Sequence, residues 1–101
     1  MLPTDRQIAA FLQRLRAAVA EDRVVIRDYA VEGAATVGWQ VEDVLLQLCD
    51  LEVGDCHDQV QSTAVEGGLI WVFTPPFWDG GYLWIRLREA RNVIVISFHK
   101  G

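Results

Sequence analysis

The clearest structural pattern in this chain lies in residues 82–98, YLWIRLREARNVIVISF. Apolar residues alternate with polar or aromatic ones in the first half, and β-branched residues dominate the second half. Because successive side chains of a strand point to opposite faces, the pattern predicts two strands, Tyr82 to Arg88 and Asn92 to Phe98. Only Glu89, Ala90 and Arg91 join them, and so short a connection predicts an antiparallel pair.

The alternation also predicts which side chains share a face of the sheet. One face of the first strand holds Leu83, Ile85 and Leu87, and the other holds Tyr82, Trp84, Arg86 and Arg88. In the second strand, Ile94, Ile96 and Phe98 form one set, and Val93, Val95, Ser97 and His99 form the other. With a suitable register, His99 joins Tyr82 and Arg86 on the face that no helix covers.

The elements upstream of the hairpin predict an α+β fold. Apolar residues recur every three or four positions from Thr4 to Ala20, which is typical of a helix, and Thr4 and Gln7 have the spacing of a capping box. The other predicted elements are a short strand within 23–29, a connection over 31–38, a helix over 40–50, a loop over 50–58, and strands over 59–64 and 69–74. We therefore expect one domain, residues 1–101, with its helices packed on one face of a small antiparallel sheet.

Charge and composition exclude several classes of protein. The net charge of −5 disfavours sequence-independent binding of nucleic acid. The charge is unevenly distributed, however, since residues 1–80 have a net charge of −8 and residues 81–101 have a net charge of +3. No apolar run is long enough to span a membrane and no export signal begins the chain, so we expect a cytoplasmic protein without a membrane partner. Two cysteines and two histidines match no metal-ligand spacing, and we expect neither a metal nor a cofactor.

The residue types on the uncovered face suit cleavage of RNA by its own 2′-hydroxyl. That reaction needs a base, an acid and cations around the phosphate. His99 can serve as acid or base near neutral pH, and Arg86 can clamp a phosphate with two hydrogen bonds. Lys100 and Arg88 add positive charge, and Tyr82 and Trp84 offer rings on which an RNA base can stack.

Residues 36–101 resemble the MqsR family of bacterial toxins, ribonucleases of toxin–antitoxin pairs. The resemblance rests on the helix Val41 to Leu48, the acidic loop with Asp55, the run Leu69 to Trp71 before a proline turn, Gly81 to Leu83, and the ending Val93 to Phe98. It implies a RelE-like fold and metal-independent cleavage of messenger RNA. It also implies an antitoxin partner, often one with a helix-turn-helix domain.

The resemblance assigns roles residue by residue. Tyr82 matches the family's active-site tyrosine, and His99 stands where the best-known members have a lysine. The family's loop lysine falls near Asp58, with His57 beside it, and its strand glutamine falls at Val72. We therefore expect an endoribonuclease in which His99 and His57 act as the acid and base groups.

Two other functions fit the same residues. A module without catalysis would use the aromatic and arginine face to bind a protein, because tryptophan, tyrosine and arginine are enriched in interface hot spots. A small ligand-binding domain would instead line an apolar pocket with Phe73, Phe77, Trp78 and Trp84.

Overall fold

The first helix follows the capping signal in its sequence. The structure is a computed structural model that describes residues 2–61 and 68–101. Helix α1 (Asp5–Ala20) begins after Thr4, whose hydroxyl accepts a hydrogen bond from the Gln7 N–H at 3.2 Å. The Gln7 side chain accepts one from the Thr4 N–H at 2.9 Å. The predicted capping box is confirmed.

Five strands form one mixed sheet within the described residues. Its order is β1 (Val24–Ile26), β5 (Val93–Lys100), β4 (Leu83–Glu89), β3 (Leu69–Phe73) and β2 (Cys56–Gln61). The neighbours β2, β3, β4 and β5 pair in antiparallel fashion, whereas β1 runs parallel to β5. The α+β class is confirmed, but the expectation of a wholly antiparallel sheet is wrong at β1.

A bulge in β5 sets which of its side chains face the helices. Arg86 pairs with Ser97 and Leu87 pairs with Val95, so Ile96 is an extra residue without a partner on β4. The bulge shifts the alternation by one residue. Val93, Val95 and Phe98 therefore enter the core, and the predicted separation of the two valines from Phe98 is wrong. His99 stays on the opposite face, as expected.

A helix occupies the segment that we expected to be a connection. Helix α2 (Asp28–Ala35) follows β1, and the prediction over residues 31–38 is wrong as far as Ala35. Glycine disfavours helix formation, which explains the error. Here Gly33 has a packing role, because a Cβ at this position would overlap the carbonyl oxygen of Phe98 in β5.

Aromatic stacking joins the helices to the sheet. Phe11 of α1 lies parallel to Trp71 of β3, with 4.3 Å between ring centroids, and also stacks on Phe73. Helix α3 (Val41–Asp50) is held at its end by Arg16 of α1, which donates to the carbonyls of Cys49 and Leu51. On the opposite face of the sheet, Trp84 and Arg86 of β4 remain partly exposed.

The remaining boundaries differ in detail from the prediction. A short 3₁₀ turn, Val53–Asp55, precedes β2, which begins at Cys56 rather than at Gln59. The predicted end of that strand, residues 62–64, lies outside the described residues. Among the residues that are described, no helix is both long and apolar enough to cross a membrane.

Replacing Gly33 with alanine should destabilise the fold. The added methyl group must displace the backbone of β5, and overpacking of this kind typically costs about 1–3 kcal/mol. Urea unfolding of Gly33→Ala should show this loss. Gly54→Ala is the matched control, because nothing lies within 4 Å of a Cβ placed there. An unchanged unfolding midpoint for Gly33→Ala would contradict the packing role.

Candidate functional site

Three of the predicted residues meet in one cavity at the end of the sheet. His57, Thr74, Tyr82 and Trp84 line a space of about 310 Å³. His57 belongs to β2 and Trp84 to β4, while Thr74 follows β3 and Tyr82 precedes β4. Tyr82 is held there by a bridge to Pro76 across the β3–β4 turn. Three strands therefore contribute to one small pocket, which we call the Trp84 pocket.

A second bulge brings His57 to this pocket. Cys56 pairs with Phe73 and Asp58 pairs with Val72, which leaves His57 as the extra residue between them. Its exposed imidazole ring meets the Trp84 indole edge-on, with centroids 5.3 Å apart and planes at 60°. A β2 side chain thus reaches β4, two strands away.

His99 lies on the other side of Trp84. The two residues are cross-strand partners, so their side chains share the outer face. The Nδ1 atom of His99 lies 3.0 Å from the Lys100 carbonyl oxygen. A carbonyl oxygen can only accept a hydrogen bond, so the Nδ1 atom of His99 must be the donor in this contact. Nε2 is then the ring nitrogen that can accept a proton from a substrate.

His99 lines a different cavity from that of His57. The space of about 280 Å³ beside His99 is closed by α2, through Tyr29, Glu32, Gly33 and Thr36. We call it the α2 pocket. The structure therefore joins Tyr82, Trp84 and His57 directly, and places His99 next to them in an adjoining pocket.

The predicted cations differ in their surroundings. Arg86 lies on the outer face between Val72 and Ser97, and it forms no ion pair with any residue of the described ranges. Arg88 is almost fully buried farther along β4. The ammonium group of Lys100 forms an ion pair with Asp79 of the β3–β4 turn. Arg86 is thus the cation most readily offered to an anion on this face.

Nearby titratable groups respond to these contacts. The Lys100 ammonium group and the Gly81 N–H, at 2.9 Å, hold the pKa of Asp79 below its ordinary value. The Gln59 N–H lies 2.8 Å from the Asp58 carboxylate and lowers the pKa of that group. Burial raises the pKa of the Cys56 thiol, which disfavours its use as a thiolate nucleophile.

The structure does not bring the four aromatic residues of the alternative apolar pocket together in one cavity. Phe73 and Phe77 lie in the core, and Trp78 is 84% exposed. Only Trp84 of the four lines the Trp84 pocket. Thr74 lines it too, although the sequence marks this residue only as the end of a predicted strand.

A larger groove lies elsewhere on the molecule. It measures about 570 Å³ between α1 and the 3₁₀ turn, and its lining includes Arg6, Arg16 and Glu52. Arg16 is already engaged by two backbone carbonyls, and the groove holds no imidazole or phenol. This groove is larger than the Trp84 pocket, but its lining offers no side chain suited to acid–base catalysis at neutral pH.

The comparisons with known proteins leave the family open. No family model matches the chain, and no curated protein matches it. Among residues 2–61 and 68–101, no group of three or more histidine, cysteine or acidic side chains is arranged to hold a metal ion.

Removing the Lys100 charge should raise the pKa of Asp79. The folded-state pKa is lowered, so the ion pair stabilises the fold above the ordinary aspartate pKa of about 3.9, and this stability is lost as the pH falls through the lowered value. A carboxyl ¹³C titration of Lys100→Met should show the shift. Arg91→Met, which removes an exposed cation from the β4–β5 turn, should leave the midpoint of Asp79 unchanged.

Proposed function

We propose that this protein is a metal-independent endoribonuclease, the toxin of a toxin–antitoxin pair, which cleaves RNA through attack of a 2′-hydroxyl on the adjacent phosphate. The observation that carries the proposal is the meeting of His57, Tyr82 and Trp84 in one pocket, with His99 directly across from Trp84. The resemblance of residues 36–101 to the MqsR family also favours it.

The two histidines suit the two proton transfers of the reaction. One group must take the proton of the 2′-hydroxyl, and another must protonate the 5′-oxygen as it leaves, which yields a cyclic phosphate and a free 5′-hydroxyl. His57 and His99 stand on either side of the Trp84 side chain. A phosphate bound beside the indole would lie between two imidazoles, and an imidazole ring can either donate or accept a proton.

The remaining residues would bind the substrate. Trp84 and Tyr82 offer rings to an unpaired base, and Tyr82 can also donate its phenolic proton. Arg86, on the same face and without an ion pair among the described residues, would stabilise the charge that develops on the phosphate. Lys100 would contribute only after separation from Asp79.

The charge distribution favours binding of RNA at this one face. From residue 28 to residue 85 the sequence contains no lysine or arginine, while its acidic residues include Glu42, Asp50 and Glu52 around α3. Phosphates are repelled from such a surface. The α3 side is therefore unfavourable for RNA, whereas Arg86 offers a positive charge on the sheet face.

The proposal includes a partner and a location. An antitoxin protein would cover the site until it is removed, and the protein would act in the cytoplasm, where messenger RNA is found. The one specific observation that favours the alternative, a module that binds protein without catalysis, is Trp78. Its indole is 84% exposed on the β3–β4 turn, and exposed tryptophans are frequent anchors of interfaces.

Cleavage should depend on the two histidines and on no metal. Purified protein should cut a fluorescent single-stranded RNA in the presence of EDTA, and the 5′ fragment should end in a cyclic phosphate. Loss of either imidazole should slow cleavage by about 10²–10⁴-fold, the usual contribution of general acid–base catalysis. His57→Ala and His99→Ala should both show this, while a substrate with 2′-deoxyribose at the cut stays intact.

Arg86→Ala should also reduce cleavage, and Arg6→Ala is its matched control. Arg6 is an exposed arginine of α1, remote from the sheet face. A folded wild-type protein that cuts no RNA and arrests no growth on expression in bacteria would overturn the proposed activity. The binding module would then be the better account, and Trp78 its first residue to test.

A further inference from the structure

We propose that the α2 pocket is a second base-binding subsite, which takes an unpaired base with an amino group on its Watson–Crick edge. The inference rests on the proposed function for its ligand class, RNA, and adds a substrate preference to it. The pocket is distinct from the Trp84 pocket, and none of Tyr29, Glu32 and Thr36 has a role in the proposed cleavage.

The position of the α2 pocket suits the nucleotide next to the cut. The Trp84–His99 pair separates the two pockets, because Trp84 lines one and His99 lines the other. Trp84 and His99 lie on neighbouring strands, about 4.8 Å apart. An RNA strand that passes from one to the other would place two adjacent bases in the two pockets.

Gly33 brings α2 close enough to form this pocket. The helix backbone lies against Phe98 and His99, where a Cβ at position 33 would overlap the Phe98 carbonyl oxygen. Tyr29 and Glu32 therefore line the same cavity as His99. The α2 pocket therefore results from the close packing of α2 against β5 at Gly33.

The chemistry of the α2 pocket favours a base over a phosphate. The Glu32 carboxylate forms no ion pair or hydrogen bond with any described side chain, and its charge repels phosphate. Tyr29, 64% exposed, offers a flat ring on which a base can stack. The pocket thus combines a stacking surface with a charged acceptor.

The acceptors of the pocket distinguish between bases. The Thr36 hydroxyl donates to the Gly33 carbonyl at 2.6 Å, so its oxygen remains available only as an acceptor. A carboxylate accepts well from the amino groups of cytosine, adenine or guanine. Uracil presents a single N–H between two carbonyl oxygens, and these oxygens would face the carboxylate unfavourably.

Dinucleotides that cannot be cleaved test the preference. The full-length protein is titrated with 2′-O-methylated UpC, CpU and UpU while its backbone amide resonances are followed. At least one of UpC and CpU should bind about ten-fold more tightly than UpU, as expected for one discriminating polar contact. The resonances of residues 29–36 and 99 should shift in that complex.

Glu32→Gln should remove the preference, since a neutral amide can present a donor as readily as an acceptor. Glu42→Gln, a change of the same type on the exposed start of α3, should keep it. Equal affinities for the three dinucleotides, or a preference unaffected by Glu32→Gln, would overturn the subsite. If the wild type still cuts RNA, that result leaves the proposed cleavage intact. Failure of every dinucleotide to bind, together with absence of cleavage, would overturn both.

Discussion

The bulge at Ile96 is the constraint on which both faces of the sheet depend. One unpaired residue turns Val93, Val95 and Phe98 towards the helices, and returns Ser97 and His99 to the outer face. Without it, strict alternation would place two core valines in solvent or bury the imidazole. The core and the candidate site are therefore consequences of the same local irregularity.

The parts of the fold that the sequence predicts are those governed by local rules. The capping box at Thr4, the stripe of α1 and the alternation in β4 depend on neighbouring residues, and the structure agrees with each. Helix α2 and the parallel pairing of β1 depend on distant contacts instead. A glycine at position 33 indicates against a helix. The helix needs this glycine because a Cβ there would overlap the carbonyl oxygen of Phe98 in β5, which is 65 residues away in the sequence.

The candidate site shows the same division. Tyr82, Trp84 and Arg86 could be placed on one face from a single strand, and His99 from its antiparallel partner. The contact between His57 and Trp84 could not be predicted in this way. It depends on the order of β2, β3 and β4 in the sheet and on the bulge in β2. Thr74 gave no signal beyond its place before two prolines, so it was missed as part of the pocket.

The parallel strand β1 has a consequence for synthesis on the ribosome. Its only partner in the described sheet is β5, whose residues are translated about 70 positions later. The first two helices and β1 therefore cannot pack against the complete sheet until β5 has emerged from the exit tunnel. Both pockets use residues 82–99. The site would thus form only after β5 has been translated.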